Sequence, residues 1–82
     1  MLVITRFYGM VIKMYPNDHV PPHFHVIYNE YNGVFSIEEL EMIEGDLPNK
    51  AKRMILEWAE MYKVQLLQMW NTKEFVKLPP LE

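Results

Sequence analysis

Apolar and polar residues alternate along the first half of the chain, whereas apolar residues recur every three or four positions in the second half. The first half therefore predicts strands and the second half a helix. Residues 2–15 predict one long strand, in which Arg6 and Lys13 have opposite parity and would lie on opposite faces. A bulge at Gly9 restores one polar face, because glycine adopts the left-handed conformation that such a bulge needs. The predicted inner face then consists of Thr5, Phe7, Met10, Ile12 and Met14.

Prolines separate this strand from the next one. Residues 16–22 predict a loop, since proline cannot donate to a sheet ladder and the segment contains three prolines. Residues 23–29 then predict a strand, with His23 and His25 on one face and the aromatic Phe24 on the other. The sequence leaves open whether Pro21 or Pro22 follows a cis peptide bond.

Two dipeptides compete for the turn that follows. Asn32-Gly33 is the stronger turn former. A turn at Asn29-Glu30 instead gives two strands of similar length, the second within 31–37, and we favour it for that reason.

The remaining elements complete the predicted fold. Residues 40–44 predict a short strand, residues from about 48 to 70 a helix with Pro48 in its first turn, and residues 71–82 a tail. These elements predict an α+β fold, in which a small, mostly antiparallel sheet of three or four strands packs against one long C-terminal α-helix. We expect residues 1–82 to form a single domain.

The composition changes this picture in three ways. Half of the 82 residues are apolar, which predicts exposed apolar surface and hence a dimer or a complex. The net charge of −3 argues against a nucleic-acid binder, whose affinity depends on neutralising phosphates. Without a cysteine or an apolar run of about 20 residues, the sequence predicts no disulfide, no thiolate site and no membrane span, and we expect a cytoplasmic protein.

The three histidines of the chain lie within seven residues. His23 and His25 would project from one strand face, which is how a strand presents two imidazoles to one ion. His19 or Asp18 in the preceding loop would supply a third ligand and leave a position open, as in catalytic zinc sites. The alternative, which we favour over a metal ion, is that the histidines are hydrogen-bonded to a neighbouring carboxylate or carbonyl. We therefore expect no cofactor, and the alternative is a divalent metal such as zinc bound by these residues.

The same histidines fit acid–base catalysis without a metal. Imidazole titrates near neutral pH, and small metal-independent ribonucleases combine it with Arg, Lys or Tyr. The first strand offers Lys13 as one such partner if it pairs with the second strand. The candidate catalytic residues are His19, His23, His25, Arg6 and Tyr8. Because the chain is acidic overall, RNA is a poor substrate for it, and we favour a protein without enzymatic activity.

A group of cations marks the start of the predicted helix. Lys50, Lys52 and Arg53 lie in its first turns, where the helix macrodipole disfavours positive charge. They form a candidate patch for an anion or an acidic partner. The alternative is local neutralisation, by acidic residues before the helix and by Glu57 one turn beyond Arg53.

Four motifs stand out along the chain: RFYGMVIKMY, DHVPPHFHV, GDLPNKA and LEWAE, with a tryptophan closing the helix. Together they resemble the bacterial domain-of-unknown-function family 4160, over about residues 3–70. Members of that family usually have a glycine in the turn where this chain has Asn29-Glu30. The positions that match the family's motif are Arg6, Tyr8, Gly9, Asp18, His19, Pro21, Pro22, His23 and His25.

The resemblance implies a small soluble bacterial α+β protein and no established reaction. Genes of the family often neighbour those of another uncharacterised family, number 2442, an arrangement typical of toxin–antitoxin pairs. We therefore predict a cytoplasmic protein-interaction protein, one component of a toxin–antitoxin-like pair. Its partner would be a second copy of itself or a second small protein encoded nearby. The alternatives are a metal-dependent hydrolase or a metal-free ribonuclease built on the histidines, and a metal-binding regulator without catalysis.

Overall fold

Five strands pair in the order in which they occur along the chain, so that the sheet is an antiparallel meander. A computed structural model describes residues 2–82. The strands are β1 (Leu2–Phe7), β2 (Met10–Met14), β3 (His23–Tyr28), β4 (Tyr31–Ser36) and β5 (Glu41–Asp46), followed by the helices α1 (Asn49–Met61) and α2 (Lys63–Thr72). The predicted α+β class is confirmed, whereas the predictions of three or four strands and of one long helix are wrong.

The segment 2–15, predicted as one long strand, is a hairpin. Phe7 pairs with Met10, and the residues between them, Tyr8 and Gly9, have φ values of 49° and 79°. Positive φ at both central positions is the mark of a type I′ turn, whose twist matches that of the flanking strands. The chain reverses where we predicted a bulge. The predicted inner face is nevertheless confirmed, since Thr5, Phe7, Met10, Ile12 and Met14 are all buried.

The next two turns lie close to their predicted places. Asn29 and Glu30 connect β3 to β4, as predicted, and Asn29 has a φ of 54° between the paired tyrosines that flank the turn. The last strand, predicted over 40–44, runs instead over Glu41–Asp46. Leu40 is not part of it, because its φ of 54° belongs to the preceding turn.

The helical region predicted over 48–70 breaks at Tyr62, whose φ of −117° and ψ of 20° are not helical. Its N–H is shared between the carbonyl oxygens of Trp58 and Ala59, at 3.3 and 3.2 Å. Helical geometry resumes in the next residue and continues to Thr72. A single non-helical residue leaves the spacing of the apolar side chains almost unchanged, and for this reason the periodicity predicted one helix.

The core lies between the inner face of the sheet and the two helices. Trp58 is fully buried, with its ring centroid 6.0 Å from that of Phe7 and 5.9 Å from that of Phe24. Phe24 in turn stacks on Phe35 at 5.4 Å. On the opposite face of the sheet the side chains are partly open to solvent, and His25 is among them.

The residues after α2 form no regular secondary structure, but they pack along the molecule. The N–H of Leu78 donates to the carbonyl oxygen of Ile4 in β1, at 3.0 Å. The indole N–H of Trp58 donates to the carbonyl oxygen of Pro79, at 2.8 Å. These contacts join the segment 73–82 to an edge strand and to the core. Within residues 2–82, no helix is long and apolar enough to cross a bilayer.

Candidate metal centre

A loop and the start of a strand bring together a group of three potential metal ligands, the one such group within residues 2–82. The loop between β2 and β3 carries Asp18, and the first residues of β3 carry His23 and His25. Because alternate residues of a strand share a face, both imidazoles project from the solvent-facing side of the sheet. The loop returns over the same side, so that Asp18 meets both rings.

The three side chains converge on one oxygen atom. The Nε2 atom of His23 lies 3.0 Å from Oδ2 of Asp18, and Nε2 of His25 lies 2.9 Å from the same oxygen. The two imidazole centroids are 5.1 Å apart. One ligand atom from each of the three residues lies within 4.8 Å of the other two, which is close enough for a single cation to contact them all.

A backbone contact determines which nitrogen of His23 faces the carboxylate. The Nδ1 atom lies 2.7 Å from the carbonyl oxygen of Pro21, which follows a cis Val20–Pro21 bond. A carbonyl oxygen can only accept, so Nδ1 carries the proton and donates it. In a neutral imidazole the Nε2 atom is then a bare acceptor that faces a carboxylate oxygen. Two acceptors at 3.0 Å require a cation between them or a second proton on the ring.

The carboxyl group of Asp18 is held in its charged form. Burial by itself would raise the pKa of Asp18, but the hydrogen bond from His25 and the charges of His23 and His25 outweigh it. The pKa therefore lies below its ordinary value. An ionised carboxylate is the form that coordinates a metal ion.

Two aromatic rings hold the imidazoles in place. The ring of Tyr15 meets His25 edge to face, with centroids 4.7 Å apart. The indole of Trp70 lies 5.0 Å from the ring of His23. Both contacts restrict rotation of the imidazoles and so preserve the direction of their Nε2 atoms.

The cluster forms one wall of an open cleft of about 330 Å³. The loop and three strands, β3, β4 and β5, supply its lining, which consists of Asp18, His19, Val20, Pro21, His23, His25, Val34, Ile43 and Glu44. The register places His25, Val34 and Glu44 in one row across the sheet. The open side of the cleft gives a ligand access to the convergent atoms.

The structure separates the remaining candidate site residues from this centre. His19 is exposed and lies outside the three-residue cluster, although it lines the same cleft. Arg6 is exposed on β1, and Tyr8 lies in the hairpin turn at the opposite end of the sheet from His23. Of the predicted cationic neighbours, Lys13 pairs in register with His25.

The cations of α1 lie apart from the cluster. Lys52 and Arg53 border a separate cleft of about 730 Å³ together with Glu41 of β5, and Lys50 borders another beside Tyr8. Among residues 2–82, none of these three cations lies within 4.0 Å of a carboxylate, so the predicted pair of Arg53 with Glu57 does not form.

Sequence reasoning found the three converging residues but missed what supports them. The carbonyl oxygen of Pro21 and the ring of Tyr15 are local to the loop, and their proximity to the motif is the one signal that would have indicated them. Trp70 lies far along the chain, and its helical spacing fits a core residue as well as an interface residue. It is indeed buried, with one side of its ring toward His23.

The fold and this centre together describe a small α+β protein with a surface cluster of two histidines and one aspartate. A family model described as a domain of unknown function, DUF4160, matches residues 9–71, which is more than half of the chain. The chain belongs to this family. Comparisons with curated proteins and with solved structures gave no significant match.

Proposed function

We propose that this protein binds a divalent transition-metal ion, with zinc as the reference case, through Asp18, His23 and His25. One observation supports the proposal above the others: two Nε2 atoms approach a single carboxylate oxygen at 2.9 and 3.0 Å. Imidazole nitrogens and carboxylate oxygens are common zinc ligands, and three protein ligands with an open position are typical of accessible zinc sites.

The surroundings of His23 match those of a metal ligand. A coordinating histidine usually donates its second ring N–H to a carbonyl or carboxylate oxygen, which fixes the tautomer and the direction of the ring. The Nδ1 atom of His23 does this toward Pro21 at 2.7 Å. An ion bound at Nε2 would also separate the two acceptor atoms that otherwise face each other.

The spacing of the ligand atoms is close to that of a filled site. Tetrahedral coordination with bonds near 2.0 Å places ligand atoms about 3.3 Å apart. The two distances to Oδ2 of Asp18 are a few tenths of an ångström shorter than this. All three ligand atoms lie within 4.8 Å of one another, a range that rotation of the side chains would adjust to tetrahedral spacing.

Titration of chelator-stripped protein with zinc tests the proposal, and cobalt(II) provides a visible spectrum that reports coordination number. We expect one ion per chain and a tetrahedral or five-coordinate cobalt spectrum. Asp18→Asn should weaken zinc binding by at least about tenfold, since the loss of an outer-shell partner alone costs 10- to 100-fold. Asp46→Asn is the matched control, because Asp46 is an exposed acid outside the cleft.

Two results would contradict the proposal. One is a zinc dissociation constant weaker than millimolar for the unmodified chain. The other is equal affinity in Asp18→Asn and Asp46→Asn, which would mean that zinc binds elsewhere. In either case the contact between His23 and Asp18 would be an ion pair of imidazolium with carboxylate.

A protein-interaction role is the second candidate, and the free edge of the sheet favours it. β1 receives the N–H of Leu78, whereas within residues 2–82 no backbone group pairs with the outer side of β5. Ile43 on that edge is 44% exposed. An exposed edge strand offers main-chain groups to a partner. In a toxin–antitoxin-like pair, co-expression with the small protein encoded nearby should yield a stable complex, and separate elution of the two proteins would contradict this role.

A further inference from the structure

The three proposed ligands leave the coordination sphere of a zinc ion incomplete. Structural zinc sites are closed by four protein ligands, whereas Asp18, His23 and His25 supply three. We propose that His19 of a second copy of this chain provides the fourth ligand, so that zinc closes a symmetric dimer. This inference rests on the proposed metal-binding function and adds to it a partner and a consequence of binding.

The position of His19 supports a contact between copies. It follows Asp18 directly, yet it is exposed and does not join the cluster of its own chain. It borders the same cleft as the cluster. In a two-fold symmetric dimer both copies use the same surface. The two His19–zinc contacts are therefore equivalent, and His19 of each copy occupies the open coordination position in the metal site of the other copy.

Apolar side chains surround this contact. Val20 is 81% exposed and Ile43 is 44% exposed, and both line the cleft. In the register of β4 with β5, Val34 pairs with Glu44 and Phe35 with Met42, so Ile43 is an extra residue that forms a bulge. Bulges of this kind redirect side chains beside functional sites. Apposition of two clefts would remove the exposed apolar side chains from water.

Charge explains why the dimer should depend on zinc. Each cleft contains two carboxylates, those of Asp18 and Glu44. Without metal, Asp18 faces the imidazoles of its own copy, whereas Glu44 is in no ion pair among residues 2–82. Apposed clefts would therefore bring two uncompensated Glu44 carboxylates together, and these would repel each other. Two zinc ions supply four positive charges at the same place. The zinc ions would thus coordinate His19 across the contact and also neutralise the carboxylates that oppose it.

Sedimentation of the full chain with and without zinc tests the inference. We expect a monomer of 9.9 kDa in chelator and, with zinc, a species of twice that mass that contains one ion per chain. His19→Ala should keep one zinc per chain and remain monomeric. Asn17→Ala, an exposed neighbour in the same loop, should dimerise as the unmodified chain does.

Mixing two variants tests whether His19 acts between chains. His19→Ala retains a three-ligand site without a donor, and the double variant His23→Ala/His25→Ala retains the donor but only Asp18 of the site. Each should stay monomeric alone with zinc, whereas an equimolar mixture should form a heterodimer with one ion. A mixture that stays monomeric would overturn the inference.

The outcomes separate this inference from the proposed function. If the unmodified chain binds one zinc but stays monomeric, the dimer is overturned and the metal site stands. If His19→Ala dimerises with zinc as the unmodified chain does, His19 is not the bridging ligand and the inference is overturned. If the unmodified chain binds no zinc, the proposed function is overturned, and this inference is overturned with it.

Discussion

The Nδ1 atom of His23 donates to the carbonyl oxygen of Pro21 over 2.7 Å. This bond assigns the ring proton to the nitrogen that points away from Asp18, so that the other nitrogen is free for an ion. Without the bond, a neutral His23 could donate from Nε2 to the carboxylate. With the bond in place, the approach of Nε2 to the carboxylate requires a bound cation or a doubly protonated ring.

The first prediction concerns the acid stability of the metal-free protein. The pKa of Asp18 is lowered in the folded chain, where the histidines outweigh the effect of burial. A carboxyl with a depressed folded pKa contributes stability that is fully present above its unfolded pKa and is lost as pH falls through the folded pKa. Asp18→Asn should therefore be less stable than the unmodified chain at mild acid pH, and the difference should shrink as the pH is lowered through the carboxyl range.

Denaturant unfolding at a series of pH values, with chelator present, measures this difference. Asp46→Asn serves as the reference, because its side chain is exposed and the substitution removes the same charge. A difference between Asp18→Asn and the unmodified chain that stays constant down to strongly acid pH would show that the Asp18 carboxylate does not stabilise the fold.

The second prediction concerns the turn between β1 and β2. Tyr8 occupies a position with φ 49°, where asparagine is preferred over a bulky residue. Tyr8→Asn and Tyr8→Ala both lose the edge contact with the ring of Phe7, whose centroid lies 6.1 Å away. Asn should nevertheless be more stable than Ala by about 1 kcal/mol, because it tolerates the left-handed conformation. Thermal unfolding of the two variants measures the gap, and equal midpoints would contradict the turn geometry.

This turn also shows why part of the sheet could not be predicted. The sequence signal for a type I′ turn is Asn-Gly or Asp-Gly, and here the dipeptide is Tyr8-Gly9. Alternation of apolar residues continues through a two-residue turn, so the pattern of 2–15 did not reveal the reversal. The buried face was still predicted correctly, because pairing partners in an antiparallel hairpin share a face.

The site followed from the sequence where its residues are close along the chain. His23 and His25 share a face because of strand periodicity, and Asp18 lies within reach on the adjoining loop. His19 is as close along the chain but does not join the cluster, since the path of a loop is not set by periodicity. The support that Trp70 gives to His23 depends on the path of two helices and had no sequence signal.

The third prediction concerns two glycines that both have positive φ. Gly45 has a φ of 92°, and a Cβ atom there would overlap the carbonyl oxygen of Asn32 in the neighbouring strand. Gly9 has a φ of 79°, but its nearest neighbour is the ring of Tyr28 at 3.4 Å, an ordinary contact. Gly45→Ala should cost about 3 kcal/mol or more, since backbone strain and overlap combine. Gly9→Ala should cost about 1 kcal/mol from conformation alone. Denaturant unfolding compares the free energies of unfolding of the two variants. If Gly9→Ala were the less stable of the two, the close approach of Gly45 to the neighbouring strand would be contradicted.

The fourth prediction concerns the contact of Trp58 with the segment that follows α2. The Trp58 side chain is fully buried, and its indole N–H donates to the carbonyl oxygen of Pro79 at 2.8 Å. Ending the chain after Leu78 removes this acceptor and leaves a buried donor unpaired, which costs about 1–3 kcal/mol. The truncation also removes the half-buried side chain of Leu81, so its total effect contains a packing contribution.

A double-mutant cycle with Trp58→Phe isolates the hydrogen bond. Phenylalanine has no N–H, so truncation in that background should cost only the lost packing, and the two costs should differ by about 1 kcal/mol or more. Denaturant unfolding of the four chains gives the coupling free energy. An equal cost of truncation in both backgrounds would mean that water replaces Pro79 without loss. A larger cost of truncation with Trp58 in place than in the Trp58→Phe background would establish that this segment completes the core. The buried Trp58 side chain would then depend on a carbonyl group 21 residues further along the chain.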